Sequence, residues 1–212
     1  MIPVKILAMR SLANANPGLG KALGAPEGYP ALGFLTTDSD DATYIALDEA
    51  TKAADVQVSY ARSFYAGAAN ASTPYAGEVI GILAGRTPGA LKSGMDAAVA
   101  ALGRVGFDEV GGVPYLAHTV SSAGSYLAGE AGVREGTALA YLIAPPLESM
   151  YAMDAALKAA DVKLCKLFSP PSETNFGGGL LSGSQSACDA ACAAFAAAVA
   201  EVAGNPNEIR RG

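Results

Sequence analysis

The chain has 212 residues and a net charge of −6, with 51% hydrophobic and only 16% charged residues. With no run of Lys or Arg it lacks the basic footprint that nucleic acid demands, so that class of partner is excluded. The length allows one large domain or two of about 100 residues, and the low charge means either a compact, weakly charged monomer or a surface covered by copies of itself.

In chain order, residues 4–12 read as a strand, and the Asn-Pro-Gly turn after it leads into a short helix ending at Leu23. Residues 31–37 form an apolar strand. Asp38, Ser39, Asp40 and Asp41 then supply capping and first-turn carboxylates for a helix with Tyr44, Leu47, Thr51 and Ala54 on one face. Residues 55–60 alternate as a half-buried strand. A long polar and aromatic loop follows, then a strand over 77–84 and a helix opened by Pro88 and running to Leu102. Gly103, Gly106, Gly111 and Gly112 read as a flexible joint.

The order then starts again. Strands are expected over 115–121, 137–144, 161–168 and 176–183, the last weakened by glycine, with helices from Pro146 and over 184–203. Lys52-Ala53-Ala54-Asp55-Val56 returns as Lys158-Ala159-Ala160-Asp161-Val162, half a chain later, and each half repeats the other element for element. Two tandem α+β domains, 1–106 and 107–212, are expected, each with one sheet and helices against one face.

Chemistry finds little footing. Cys165, Cys188 and Cys192 are odd in number and lack a CxxC, which fits a reducing compartment. Cys188 and Cys192 share a helical face but have no further ligands nearby, so no metal is expected. His118, the single histidine, lies in an alternating strand without a Gly-x-Ser-x-Gly elbow elsewhere. The glycines between Gly18 and Gly24 have the wrong spacing for a nucleotide loop. No cofactor and no turnover are expected. Lys5 and Arg10 interrupt any signal-peptide core, and the apolar run 190–200 is too short to span a bilayer, so a soluble, cytoplasmic protein without a membrane partner is expected.

The stretch Ala53-Ala54-Asp55-Val56 after a helix, with Gly77-Glu78-Val79-Ile80-Gly81-Ile82-Leu83-Ala84-Gly85 leading into Pro88-Gly89-Ala90-Leu91-Lys92, resembles the bacterial microcompartment shell domain. A strand and short helix placed before Ala31 look like its circularly permuted, ferredoxin-like form. Two such copies in tandem resemble the L-type shell proteins of ethanolamine-utilisation microcompartments. Pro170-Pro171-Ser172-Glu173-Thr174-Asn175 and Gly183-Ser184-Gln185-Ser186-Ala187-Cys188 fit that type as well.

The resemblance implies a structural protein, not an enzyme. It implies a homotrimer forming a pseudohexameric tile, packed edge to edge with neighbouring shell proteins, with a gated central pore for metabolites or cofactors. It places the gate at Phe64, Tyr65, Ala66, Gly67, Ser172 and Glu173, and the tile edge at Lys52 and Lys158. A small pocket for ethanolamine in each subunit falls on Asp40, Asp41, Glu78, Phe107, Thr174, Asn175 and Phe176. The rival reading is a soluble trimeric regulatory protein that binds a small molecule between duplicated domains.

Overall fold

The computed structural model describes residues 1–64, 79–170 and 172–207. Its elements run β1 (Ile6–Leu12), α1 (Pro17–Ala22), β2 (Ala31–Thr37), α2 (Asp40–Ala53), β3 (Val56–Ser63), β4 (Val79–Gly85) and α3 (Pro88–Leu102). They continue β5 (Asp108–Val110), β6 (Val113–Val120), α4 (Ser125–Ala131), β7 (Ala138–Ala144), α5 (Pro146–Ala159), β8 (Val162–Phe168), β9 (Gly177–Gly183) and α6 (Gln185–Gly204). The chain divides into two compact units. One holds Pro3–Gly106 with Gly124–Leu127; the other holds Met1–Ile2, Phe107–Ala123 and Ala128–Gly212.

In the first unit an antiparallel sheet runs β1-β2-β4-β3. Helices α2 and α3 lie close against one face, where a Cβ added to Gly81 would stand 2.7 Å from Leu47 and one on Gly33 2.7 Å from the Met95 sulfur. The other face is not bare: Leu32, Ile82 and Ala84 pack there against Ala15 and Tyr29, with Leu23 and Ala25 at the margin. The buried side of α2 also differs from the expected one. Leu47 belongs to it, but Ala42, Thr43, Ala46 and Ala50 complete it, while Tyr44 and Thr51 are only half-buried. Small residues let the helix approach the sheet, so a search for large apolar side chains misplaces the stripe.

The second unit repeats this order with one strand more, β5-β6-β7-β9-β8. The expected glycine joint is partly a hairpin. β5 pairs with β6, and Gly111 and Gly112 take φ of 57° and 81° between them, the left-handed pair that a tight hairpin turn requires. Helix α6 is long and apolar enough by composition to cross a membrane, beyond the run read from sequence. It serves here as a core helix, burying Cys188, Ala191, Cys192, Phe195 and Val199 with Leu142, Met153 and Leu181. Burial pushes the Cys192 thiol up to about 11, so it acts as an apolar filler rather than a nucleophile.

The repeats share register as well as order. Ala31 pairs with Gly85 as Ala138 pairs with Gly183, and Leu12 pairs with Leu32 as Val120 pairs with Leu139. Thr87 caps α3 through the Ala90 N–H at 3.1 Å, and Ser184 caps α6 through the Ala187 N–H at 3.2 Å.

One polar contact anchors the Gly124–Leu127 segment within the first unit. The fully buried Asp48 of α2 accepts the Gly124 N–H at 2.7 Å and the Leu127 N–H at 2.8 Å. Thr51 accepts the Ser125 N–H at 3.2 Å, and the Tyr44 and Tyr126 rings meet at 6.0 Å.

Candidate functional site

The start of α2 concentrates the chemistry of the first unit. Asp40 and Asp41 are both buried in its first turn, where the helix dipole favours negative charge. The capping role expected of this cluster is filled differently. Ser39 occupies the N-cap without a side-chain bond, and its hydroxyl finds no hydrogen-bond partner among the described residues. Thr37 accepts the Ser39 N–H at 3.1 Å and lies 2.7 Å from the Thr43 hydroxyl, which itself lies 2.8 Å from the Ser39 carbonyl. Asp38, exposed, instead accepts the Lys5 N–H at 2.8 Å and ties β1 to the sheet's end.

Burial raises the Asp40 carboxyl above the usual carboxylate range. Hydrogen bonds from the Ser63 side chain and the Asp41 N–H, the latter at 2.9 Å, oppose that rise without cancelling it. Ser63, at the end of β3, also bonds the Tyr44 hydroxyl, so one serine joins a tyrosine to a buried carboxylate. The sequence reading missed Ser63 and Tyr44. Only their places, at a strand end before a long loop and one turn along the helix, hint at the grouping.

Of the remaining expected ligand residues, Phe107, Thr174, Asn175 and Phe176 lie in the second unit. Phe107 and Phe176 meet with ring centroids 5.8 Å apart, in a tilted aromatic pair. Residues 172–176 fold back on themselves: the Ser172 N–H reaches the Phe176 carbonyl at 3.2 Å, and the Asn175 N–H reaches the Ser172 carbonyl at 3.2 Å. Asn175 takes a φ of 66°, a left-handed position that asparagine tolerates. Thr174 donates its N–H to the Ser172 hydroxyl at 3.4 Å, and Glu173 is exposed. Glu78, Tyr65, Ala66 and Gly67 lie outside the described residues, whereas Phe64 is half-buried just after β3.

Lys52 and Lys158 end equivalent helices but in different company. Lys52 pairs with Glu49 and stands 3.7 Å from Asp48; Lys158 is largely exposed and pairs with Asp154 at 2.6 Å. A groove of about 400 Å³, lined by Met9, Arg10, Leu91, Lys92 and Met95, opens between β1 and α3 and touches none of the expected residues.

A family profile described as the BMC domain matches residues 31–112, beginning on the first residue of β2 and leaving β1 and α1 ahead of it. The bacterial microcompartment shell protein EutL of Clostridium perfringens (strain 13 / Type A) is 56% identical over 210 residues, covering 97% of each chain. The crystal structure of ethanolamine utilization protein EutL from Leptotrichia buccalis C-1013-b superposes with a TM-score of 0.93 at 56% identity, covering 97% of each chain. A monoclinic crystal structure of EutL from Clostridium perfringens superposes with a TM-score of 0.95 at 55% identity, covering 100% of this chain and 98% of that one.

Proposed function

Since this chain belongs to the EutL family of bacterial microcompartment shell proteins, we propose how it works within a shell: as a homotrimeric tile that binds ethanolamine at the start of α2. Its role is structural rather than catalytic, and its place is the shell of an ethanolamine-utilisation microcompartment in the cytoplasm. In our reading each copy contributes two shell domains, 1–106 and 107–212, and three copies make one tile. Loops following β3 and β8, with Phe64, Tyr65, Ala66 and Gly67 on one and Ser172 and Glu173 on the other, gate its centre.

The observation that carries the ligand reading is the buried pair Asp40 and Asp41, with Ser63 beside it. Ethanolamine is a small cation with one hydroxyl. Two carboxylates withdrawn from water gain most from such a charge, because desolvation otherwise disfavours their ionised form. The neighbouring hydroxyls of Ser63 and Tyr44 offer the donors and acceptors that the ligand's hydroxyl needs.

Titration calorimetry tests this. Asp40→Asn should raise the Kd for ethanolamine at least about tenfold, the loss expected from removing one charge-assisted hydrogen bond. Wild-type affinity should also fall as the pH drops toward the raised Asp40 value, since a neutral carboxyl no longer pairs with the ammonium. Equal affinity in the variant, with no pH dependence, would remove Asp40 from the site.

The edge role of the helix-end lysines is a separate question. A lysine stem laid along an apolar seam, its ammonium on backbone carbonyls, suits a junction between tiles. Electron micrographs of concentrated protein should show extended sheets. Lys158→Ala should thin them more than Lys52→Ala does, because Lys158, although paired with Asp154, stays 74% exposed, whereas Lys52 is 26% exposed and held by Glu49 and Asp48. The trimer's mass should be unchanged in both, and sheets of normal extent in both variants would end the edge argument.

A further inference from the structure

Ser63 stands between two side chains whose chemistry fixes the direction of its hydrogen bonds. It meets the Tyr44 hydroxyl on one side and the Asp40 carboxylate on the other. An ionised carboxylate only accepts, so the Ser63 proton goes to Asp40. The serine oxygen is then left with lone pairs alone, and the Tyr44 O–H is the donor of the second bond. In a buried place such a chain is cooperative: each donor polarises the next, so the tyrosine strengthens the bond that reaches the carboxylate.

The fold brings these three residues together from separate elements. Ser63 ends β3 level with Val79 of β4, and Val79 is level with Thr37 of β2. Thr37 ends β2 just ahead of Ser39 and Asp40, so this row puts Ser63 at the end of the sheet from which α2 departs. Tyr44 lies one turn beyond Asp40 on the same helix.

The second repeat offers an internal comparison. At the separation of the two Lys-Ala-Ala-Asp-Val stretches, Pro146 stands where Asp40 does and Leu147 where Asp41 does. Met150 takes the place of Tyr44, whereas Ser169 follows β8 in the place of Ser63. The serine is common to both repeats, and the tyrosine occurs only in the one that has the carboxylate. Tyrosine and carboxylate go together, as they should if one serves the other.

We propose that Tyr44, acting through Ser63, is a positioning residue for Asp40: it donates to Ser63 so that Ser63 donates to Asp40, holding the carboxylate in place as an anion for the ligand's ammonium group. The role of the pair in binding rests on Asp40 being the ethanolamine carboxylate; the direction of its bonds does not.

The test follows the Asp40 carboxyl itself, by carbon-13 NMR of the full chain without ligand, the signal being assigned by its loss in Asp40→Asn. Removing a donor from the charged form favours the proton, so Ser63→Ala should move the titration midpoint upward by about one pH unit. Tyr44→Phe should move it the same way by less. The double variant should move it no further than Ser63→Ala alone, because the tyrosine acts through the serine. Ser63→Thr keeps the hydroxyl and should restore the wild-type midpoint, which a merely disturbed strand end would not do. The charged side chains around this turn or next to it in sequence, Lys5, Asp38, Asp41 and Glu78, are the same in every variant, so their influence cancels. An unmoved midpoint in Ser63→Ala overturns the proposal, and so does a double variant that shifts by the sum of the single ones. Should Ser63→Ala fail to fold, Tyr44→Phe decides by its own shift.

Calorimetry with ethanolamine then tests the purpose of the pair. The loss of affinity in Ser63→Ala should be about tenfold below the wild-type midpoint and should shrink as the pH rises above it. A loss equal at every pH would make the serine a ligand contact and overturn the positioning role. Asp40→Asn with wild-type affinity would remove the ethanolamine reading, while the carboxyl titration would still decide what Tyr44 and Ser63 do to Asp40.

Discussion

Gly178→Ala is expected to prevent the second unit from folding. Gly178 lies in β9, between β7 and β8, at a φ of 149°, in the region open almost only to glycine. A Cβ there would stand 1.9 Å from the Leu142 carbonyl oxygen and 2.8 Å from its carbon. Neither atom belongs to a side chain that can turn away, so β9 would have to part from β7. Breaking a central strand pair costs on the order of 4 kcal/mol or more, a large share of the 5–15 kcal/mol that typically holds a domain. Soluble yield and urea denaturation should both collapse. Gly129→Ala is the control: it lies in α4 with nothing within 4 Å of the added Cβ, and should be neutral or stabilise by up to about 1 kcal/mol. A Gly178→Ala protein with the wild-type urea midpoint would mean that β9 does not run as described.

The second large effect is expected at Asp48. Asp48→Ala removes the acceptor for two N–H groups, those of Gly124 and Leu127, in a place that water does not reach. Each stranded donor costs about 1–3 kcal/mol, so a loss of about 2–6 kcal/mol is expected in urea denaturation at pH 7. Asp48→Asn keeps one acceptor oxygen and should lose less.

The pH dependence distinguishes charge from hydrogen bonding. Burial raises the Asp48 carboxyl above its ordinary value, and the two N–H bonds and Lys52 do not fully offset it. The folded state therefore holds the proton more tightly than the unfolded one. The resulting stabilisation is complete below the unfolded value near 4 and is lost as the pH rises through the folded one. Wild type should thus lose stability relative to Asp48→Asn as the pH rises from about 4. A difference that stays constant with pH would show that the carboxyl is not raised.

Much of the fold was legible because its signals are local. Pro88 and Thr87 mark the start of α3, and Gly103 follows its last residue, so the helix was bounded as observed. The strand at Ala31–Thr37 was bounded equally well by Pro30 and by the acidic cluster. β5 was not legible: three residues between glycines carry no period, and only their pairing with β6 makes them a strand. The glycines of β9 read as a weakness, whereas their counterparts in the first unit, Val79 and Ile80, show that this strand tolerates bulk unless its backbone is bent.

The candidate site was legible only in part. Asp40 and Asp41 stood out by charge, but Ser63 and Tyr44 join them through side-chain bonds across separate elements, which no spacing reveals. Asp48 was missed for a related reason. Its partners lie far along the chain, and its counterpart Asp154 in the repeat is exposed, so repetition alone gave no hint that one of the pair is buried.

Both outermost strands next to the repeat helices, β3 and β8, break register at the same point, between Val58 and Tyr60 and between Leu164 and Lys166. A bulge turns the free backbone edge away from any straight strand laid beside it. At these two edges, sheets of different copies are thereby denied the main-chain zipper through which edge strands run on into fibrils. For the tile proposed above, growth in the plane would then be left to side chains, whose contacts are weak singly and can be undone, so a misplaced tile could leave the lattice and try again.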